Sequence, residues 1–540
     1  MKKAKKESFI QGVLALMFSQ VIIKILGLIY SMYLTNREGF GDSGNAIYMG
    51  GYQIYALLLT LSSIGVPNAI SKLISERLAR GDKKGADRVF KIAFMTFAVI
   101  GFVGTLILFL GARVIANYWL AIPECEYTLI SLSPAIFFVS ISSVIRGYFN
   151  GIQKISNTAR SQTLEQVFKT TLTILFVEIV AMITTTNTTL MAAGANLATT
   201  FATFLSFSYI FALCQRNRKA DRKEIINSEY IGEKESVKSI VSKILSVSIP
   251  MSISSLLSSI NKNIDSATVV RILKPLVGEV SAKARYGILS SKIDILTSMP
   301  LAFNIAFATA LVPAISTARV QGDEKTINKR LSFSILVTIL IGLPCTIGMF
   351  MYANQILALL FPKASKGGTL LAISAFTIIF TVLAQTINGA LQGLGKVKIP
   401  AIALGCGVIV KLLTNVLLIP IEGIYENGAA IGSVLCHIIS FTIVYNVLKN
   451  TVKLEFSIFR LMIKPMIATL VMAIVSYACY MLAISLGIHG SISTIIGIGV
   501  AVVIYAILVI ILKILSKEDI LSLPKGEKIY KILQKMKIYA

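Results

Sequence analysis

The chain has 540 residues, of which 55% are apolar and only 14% charged, with a mean hydropathy of +0.77. Soluble domains run at about 45–50% apolar and about a quarter charged, so composition argues against a secreted, fibrous or cytosolic protein and for a polytopic membrane protein. Fifty-two basic against 26 acidic residues give a net charge of +26, which such a chain carries as positive-inside topology and not as a nucleic-acid footprint.

Apolar runs of spanning length fall at 9–34, 46–66, 89–111, 128–150, 161–183, 190–214, 241–270, 286–315, 331–352, 369–394, 399–420, 428–448, 461–486 and 491–515. Fourteen crossings put both termini on one face. Of the Lys and Arg residues, 39 then lie on the terminal face, 8 on the other and 5 within crossings, so both termini are expected in the cytoplasm of a plasma-membrane protein. The first run lacks a small-residue cleavage site, against a removable signal peptide. Six cysteines are scattered singly and the two histidines are far apart, so neither a disulfide framework nor a metal site is expected.

The longest polar stretch, 215–240, separates two sets of six crossings. This gives an N-lobe at 1–214, a cytoplasmic linker at 215–240, a C-lobe at 241–448, two further crossings in 449–515 and a basic tail at 516–540. The lobes repeat each other. Gly147, Gly151, Lys154 and Lys169 recur as Gly389, Gly393, Lys396 and Lys411 at a constant offset. ArgGlyAspLysLys at 80–84 echoes GlnGlyAspGluLys at 321–325, and ValProAsnAlaIleSer at 66–71 echoes ValProAlaIleSer at 312–316. Six crossings is an even number, so the copies form a parallel repeat about an axis along the membrane normal, with a substrate path between them.

Charges inside crossings carry the functional signal, because each costs roughly 2.5–3.5 kcal/mol at a helix centre. Lys24 lies too deep in the first crossing to snorkel easily, and faces either an internal partner or a water-filled cavity. Lys169 follows Glu165 by four residues and is expected to pair with it. Lys411 has no local acid, and Asp265 is a distant candidate. Lys262 and Asp265, with Lys292 and Asp294, make the seventh and eighth crossings unusually polar and favour a cavity-lining face. The GxxxG pairs Gly147/Gly151 and Gly389/Gly393 read as close helix packing. No Walker motif occurs, and Glu124 with Glu126 reads as a solvated loop, so no catalytic residue is assigned and an enzyme is not expected. The tail reads as a basic amphipathic stretch resting on anionic lipid.

LysIleLeuGlyLeuIleTyr at 24–30, SerPheIleGlnGly at 8–12 and the run TyrGlnIleTyr to LeuIleSerGlu at 52–76 resemble the MurJ-type lipid II flippases. They equally resemble the stage V sporulation protein B-like polysaccharide transporters of the multidrug/oligosaccharidyl-lipid/polysaccharide exporter superfamily. The resemblance covers nearly the whole chain. It implies an all-α fold of fourteen transmembrane helices, two six-helix lobes plus two helices, and an undecaprenyl-pyrophosphate-linked glycan as substrate. It places Lys24 at the family's basic position in the first helix, with Lys292, beside Asp294, nearest to the eighth-helix cation, so these are the expected substrate-binding residues, the two lysines facing the central cavity to hold the diphosphate; no basic residue stands a turn after Lys24. Some relatives hold sodium among helices seven, eleven and twelve; Asp265 and Asn415 match such a site, with the Lys411 ammonium standing where the ion would be.

The expected function is flipping of a lipid II-like precursor from the inner to the outer leaflet by alternating access. No cofactor is required beyond a coupling ion or the membrane potential, and cell-wall synthesis enzymes are possible partners. The alternatives are a multidrug cation antiporter, which calls for a net negative cavity, and a non-transporting scaffold of a cell-wall complex.

Overall fold

The computed structural model describes residues 9–63, 65–228 and 235–521, together with Tyr530 and Gln534. The basic N-terminal residues 1–8, residues 229–234 of the expected linker and most of the expected tail lie outside the described residues. No strand occurs among the described residues, and the helices follow in order. They are α1 (Phe9–Asn36), α2 (Gly41–Ser63), α3 (Gly65–Ala79), α4 (Lys83–Val114), α5 (Cys125–Gly151), α6 (Ile155–Thr184) and α7 (Thr188–Asn227). Then come α8 (Val237–Val277), α9 (Glu279–Gly287), α10 (Asp294–Val320), α11 (Glu324–Met351), α12 (Ala353–Leu360) and α13 (Gly368–Gly393). The last are α14 (Ile399–Leu418), α15 (Asn427–Thr451), α16 (Ile458–Ser485), α17 (Gly490–Ile511) and α18 (Lys517–Leu521). The polar stretch after Cys214 is helical as far as Asn227, as a continuation of α7.

Among the described residues, 12 helices are long and apolar enough to span a membrane. They match the expected crossings except the seventh and eighth, so the count of fourteen is not reached by this measure. Those two positions are helical, as α8 and α10, and they carry Lys262, Asp265 and Asp294.

The chain packs as two compact units, Met1–Leu296 with Lys411–Ala429, and Thr297–Val410 with Ala430–Ala540. In the first, α5 is central, packing on α2, α3, α4 and α7, while α8 and α9 pack on α2. Its core gathers Val66, Ile70, Phe90, Val144, Phe149 and Ile210 among others. In the second, α11 packs on α13 and α16, around Ile335, Ile339, Val382, Ile387 and Leu448.

The repeated sequence motifs build repeated local geometry. Gly81 (φ 82°) and Gly322 (φ 70°) turn the chain in the left-handed region that glycine adopts freely. The aspartate that follows each one caps the next helix: Asp82 Oδ1 accepts from Gly85 N at 2.7 Å to open α4, and Asp323 Oδ1 from Thr326 N at 2.9 Å to open α11. The ends of α5 and α13 also correspond. Lys154 N donates to Phe149 O and Lys396 N to Leu391 O, each at 2.8 Å, across a left-handed residue that is Gln153 (φ 60°) in one copy and Gly395 (φ 76°) in the other.

The GxxxG glycines sit where backbones meet. A Cβ on Gly147 would lie 2.9 Å from Pro67 O, and one on Gly151 3.0 Å from the Ile74 side chain, so α5 lies directly on α3. A Cβ on Gly389 would lie 2.4 Å from Ala308 O, and one on Gly393 2.7 Å from Val312 O, so α13 lies directly on α10.

Candidate functional site

The intramembrane charges described here all belong to the first unit, and they fall into four groups. The first is partly exposed. Lys24, near the middle of α1, is only partly buried and lies in electrostatic range of Lys262 on α8 and Asp294 at the start of α10. Lys262 Nζ stands 3.5 Å from Asp294 Oδ2, with the two side chains 49% and 30% exposed. Three helices thus place two ammonium groups and one carboxylate together, a surplus of one positive charge.

The second group is closed. Between α9 and α10 the chain makes a π-helical turn, Ile288–Ile293, whose extra residue re-aims the side chains that follow. It points Lys292 at the start of α2, where its Nζ lies 2.8 Å from Asp42 Oδ1. Lys292 has no exposed surface, which differs from the cavity-facing position expected for it. Close approach makes this possible: a Cβ on Gly287 would lie 1.9 Å from Asp42 O, and Ser31 Oγ lies 3.3 Å from Ser291 Oγ.

The third group corrects the expected Glu165–Lys169 pair. Glu165 Oε2 instead accepts from Arg146 Nη2 at 2.6 Å, and Arg146 also donates to Ser161 Oγ at 3.0 Å. Lys169 turns to the other side, its Nζ 3.8 Å from the centre of the Tyr52 ring and 5.3 Å from that of Tyr30. A delocalised guanidinium presents several donors to the carboxylate and the hydroxyls, whereas a compact ammonium fits over an aromatic face.

The fourth group joins α8 to α14. Lys411 Nζ donates to Asp265 Oδ2 at 2.6 Å and to Asn261 O at 2.9 Å. Asn415 Nδ2 donates to Asp265 Oδ1 and to Thr268 Oγ1, both at 3.0 Å. Lys411 and Asn415 are buried at 2% and 0% exposure. These residues do not fit sodium, because the ammonium already takes the carboxylate and carbonyl oxygens that an alkali cation needs.

The sequence reading had Lys24 and Lys292 facing the cavity, whereas Lys292 turns to Asp42 and Lys262 stands beside Asp294; it had no means of selecting Asp42, Arg146 or Tyr52 as partners. Asp42 was legible only as an acid opening an apolar helix, and Arg146 only as a basic residue near a span end.

The family described as polysaccharide biosynthesis protein matches residues 9–319, more than half of the chain. The chain belongs to that family. A second family, MatE, matches residues 250–417 of this chain. Stage V sporulation protein B of Bacillus subtilis (strain 168) is 25% identical over 532 residues, 96% of this chain and 98% of that protein. Lipid II flippase MurJ of the same organism is 25% identical over 453 residues, 80% of each. Among solved structures, lipid II flippase MurJ in an inward closed conformation aligns with a TM-score of 0.65 at 15% identity, over 92% of this chain and 98% of that one. An inward-facing multidrug resistance MATE family transporter of the MOP superfamily aligns at 0.64 and 15%, over 82% and 100%. The fold of this family member is therefore that of the MurJ and MATE transporters, and the chain is a multi-pass membrane protein.

Proposed function

We propose that the protein is a flippase that carries an undecaprenyl-pyrophosphate-linked cell-wall precursor, of the lipid II type, from the cytoplasmic to the outer leaflet by alternating access, without covalent chemistry. It spans the membrane fourteen times with both termini in the cytoplasm. The carrying observation is the partly exposed cationic group that Lys24, on an apolar span, forms with Lys262 beside Asp294. A diphosphate brings at least two negative charges, and ammonium–phosphate pairs strengthen where water is partly excluded. Lys292 joins the substrate by exchanging Asp42 for phosphate oxygens. Relatives named as lipid II flippase and as stage V sporulation protein B support a lipid-linked substrate.

The MATE-like fold favours multidrug export as a second reading. A cationic drug, however, would meet the net positive charge of the same group. The deciding experiment is purified protein in vesicles loaded with labelled lipid-linked precursor. Flipping is expected, Lys24→Ala is expected to lower its rate by at least tenfold with thermal stability unchanged, and Lys24→Arg is expected to keep most of it. Normal flipping by a stable Lys24→Ala, Lys262→Ala double variant overturns the diphosphate role. Export of organic cations without precursor flipping supports the second reading.

A further inference from the structure

A cavity of about 630 Å³ opens in the first unit among α1, α6 and α7, apart from the four charged groups above. Its lining includes Phe18 and Ser19 from α1, Ser156, Arg160 and Thr163 from α6, and Tyr209 from α7. Ser19 Oγ lies 2.7 Å from Thr163 Oγ1 and donates to Ala159 O at 3.2 Å, which fixes the floor. Arg160 is exposed, and among the described residues no carboxylate pairs with it.

The position of Arg160 on its helix is the informative feature. The exposed residues of α6 form one stripe, Arg160, Val167, Thr171, Leu175, Ile179, Met182 and Ile183, at helical spacing. Apart from Arg160 and Thr171 that stripe is apolar, as a lipid-facing surface is. Twenty-two residues separate Arg160 from Met182, roughly 33 Å of helix and so about the thickness of a bilayer hydrocarbon core. Arg160 therefore stands at headgroup level at one end of a lipid-facing stripe. Tyr209 lies beside it, a residue type that prefers that level. Phe18, 70% exposed, presents an apolar wall to the same cavity.

We propose that this cavity is a binding site for an anionic glycerophospholipid, its phosphate held by Arg160 and its acyl chains lying along Phe18 and the α6 stripe. The pairing of an exposed guanidinium with an apolar wall suits a ligand that carries a phosphate and hydrocarbon in one molecule. The site is independent of the transport reading, since none of its residues belongs to the Lys24 group.

The test is native mass spectrometry on the full-length protein in detergent, supplied with phosphatidylglycerol or phosphatidylcholine. Phosphatidylglycerol is expected to be retained in preference to phosphatidylcholine. Arg160→Gln is expected to weaken the tightest phosphatidylglycerol roughly fivefold and Arg160→Lys to weaken it less, with thermal stability unchanged in both. Undiminished retention by Arg160→Gln overturns the proposal. Two competitors separate the possible sources of the phosphate. Inorganic phosphate is expected not to displace the lipid, and displacement would make this a free-anion site. Undecaprenyl diphosphate is expected to compete no better than phosphatidylglycerol, and stronger competition would assign the cavity to substrate. Loss of the fold in Arg160→Gln would also overturn the proposal, since an exposed lipid-binding arginine is dispensable for folding.

Discussion

Lys292 and Lys411 are both buried lysines on or beside polar helices, and each is matched to one aspartate. Removing one member of such a pair leaves an uncompensated charge, which costs about 3–5 kcal/mol, whereas removing both can be nearly neutral. Lys292→Ala is therefore expected to lower thermal stability strongly, and Asp42→Ala in the same chain to recover most of the loss. A double-mutant cycle in thermal unfolding measures this, and additive losses would show that the pair does not couple. Lys411 carries a functional expectation as well. Because its ammonium occupies the oxygens that sodium would need, transport by the unmutated protein is expected to proceed equally in sodium and in choline buffers, while Lys411→Ala acquires a sodium requirement. A strict sodium requirement in the unmutated protein would refute that assignment.

Among the helices, the two ends that correspond most closely also differ in a usable way. Helix α13 closes through Gly395 and α5 through Gln153, both in the left-handed region. A residue with a Cβ is strained there by roughly 1 kcal/mol, and glycine is not. Gln153→Gly is expected to raise stability by up to about 1 kcal/mol, read as a small increase in unfolding temperature, and Gly395→Gln to lower it by a similar amount. The duplicated motifs were legible at this scale because turns and caps depend on neighbours in sequence. The aspartate caps needed only a glycine and an aspartate in the right order. By contrast, the pairing of Glu165 with Arg146 and not with Lys169 depends on which side of α6 faces α5, and i,i+4 spacing does not encode that.

For the whole molecule, the charge asymmetry between the two faces yields a topology test. A cysteine introduced in 184–189 is expected to react with an impermeant thiol reagent in intact cells, and one in 221–228 only after lysis. The reverse pattern would invalidate the proposed orientation.

Composition and hydropathy by themselves determined that this chain is an all-helical membrane protein, because a bilayer admits few other ways to satisfy the backbone. They also located the twelve spans that the structure matches and the mid-membrane lysines. What they left open was which charges are accessible and which are neutralised. The π-turn that aims Lys292 at Asp42, the aromatic rings under Lys169 and the approach of α14 to α8 that brings Lys411 to Asp265 were decided by tertiary structure alone. The physical reason is the range of the interactions. Hydropathy, caps and turns act within a few residues, so sequence encodes them locally. An ion pair between residues 146 positions apart, as in Asp265 and Lys411, exists only once packing has set the two helices side by side.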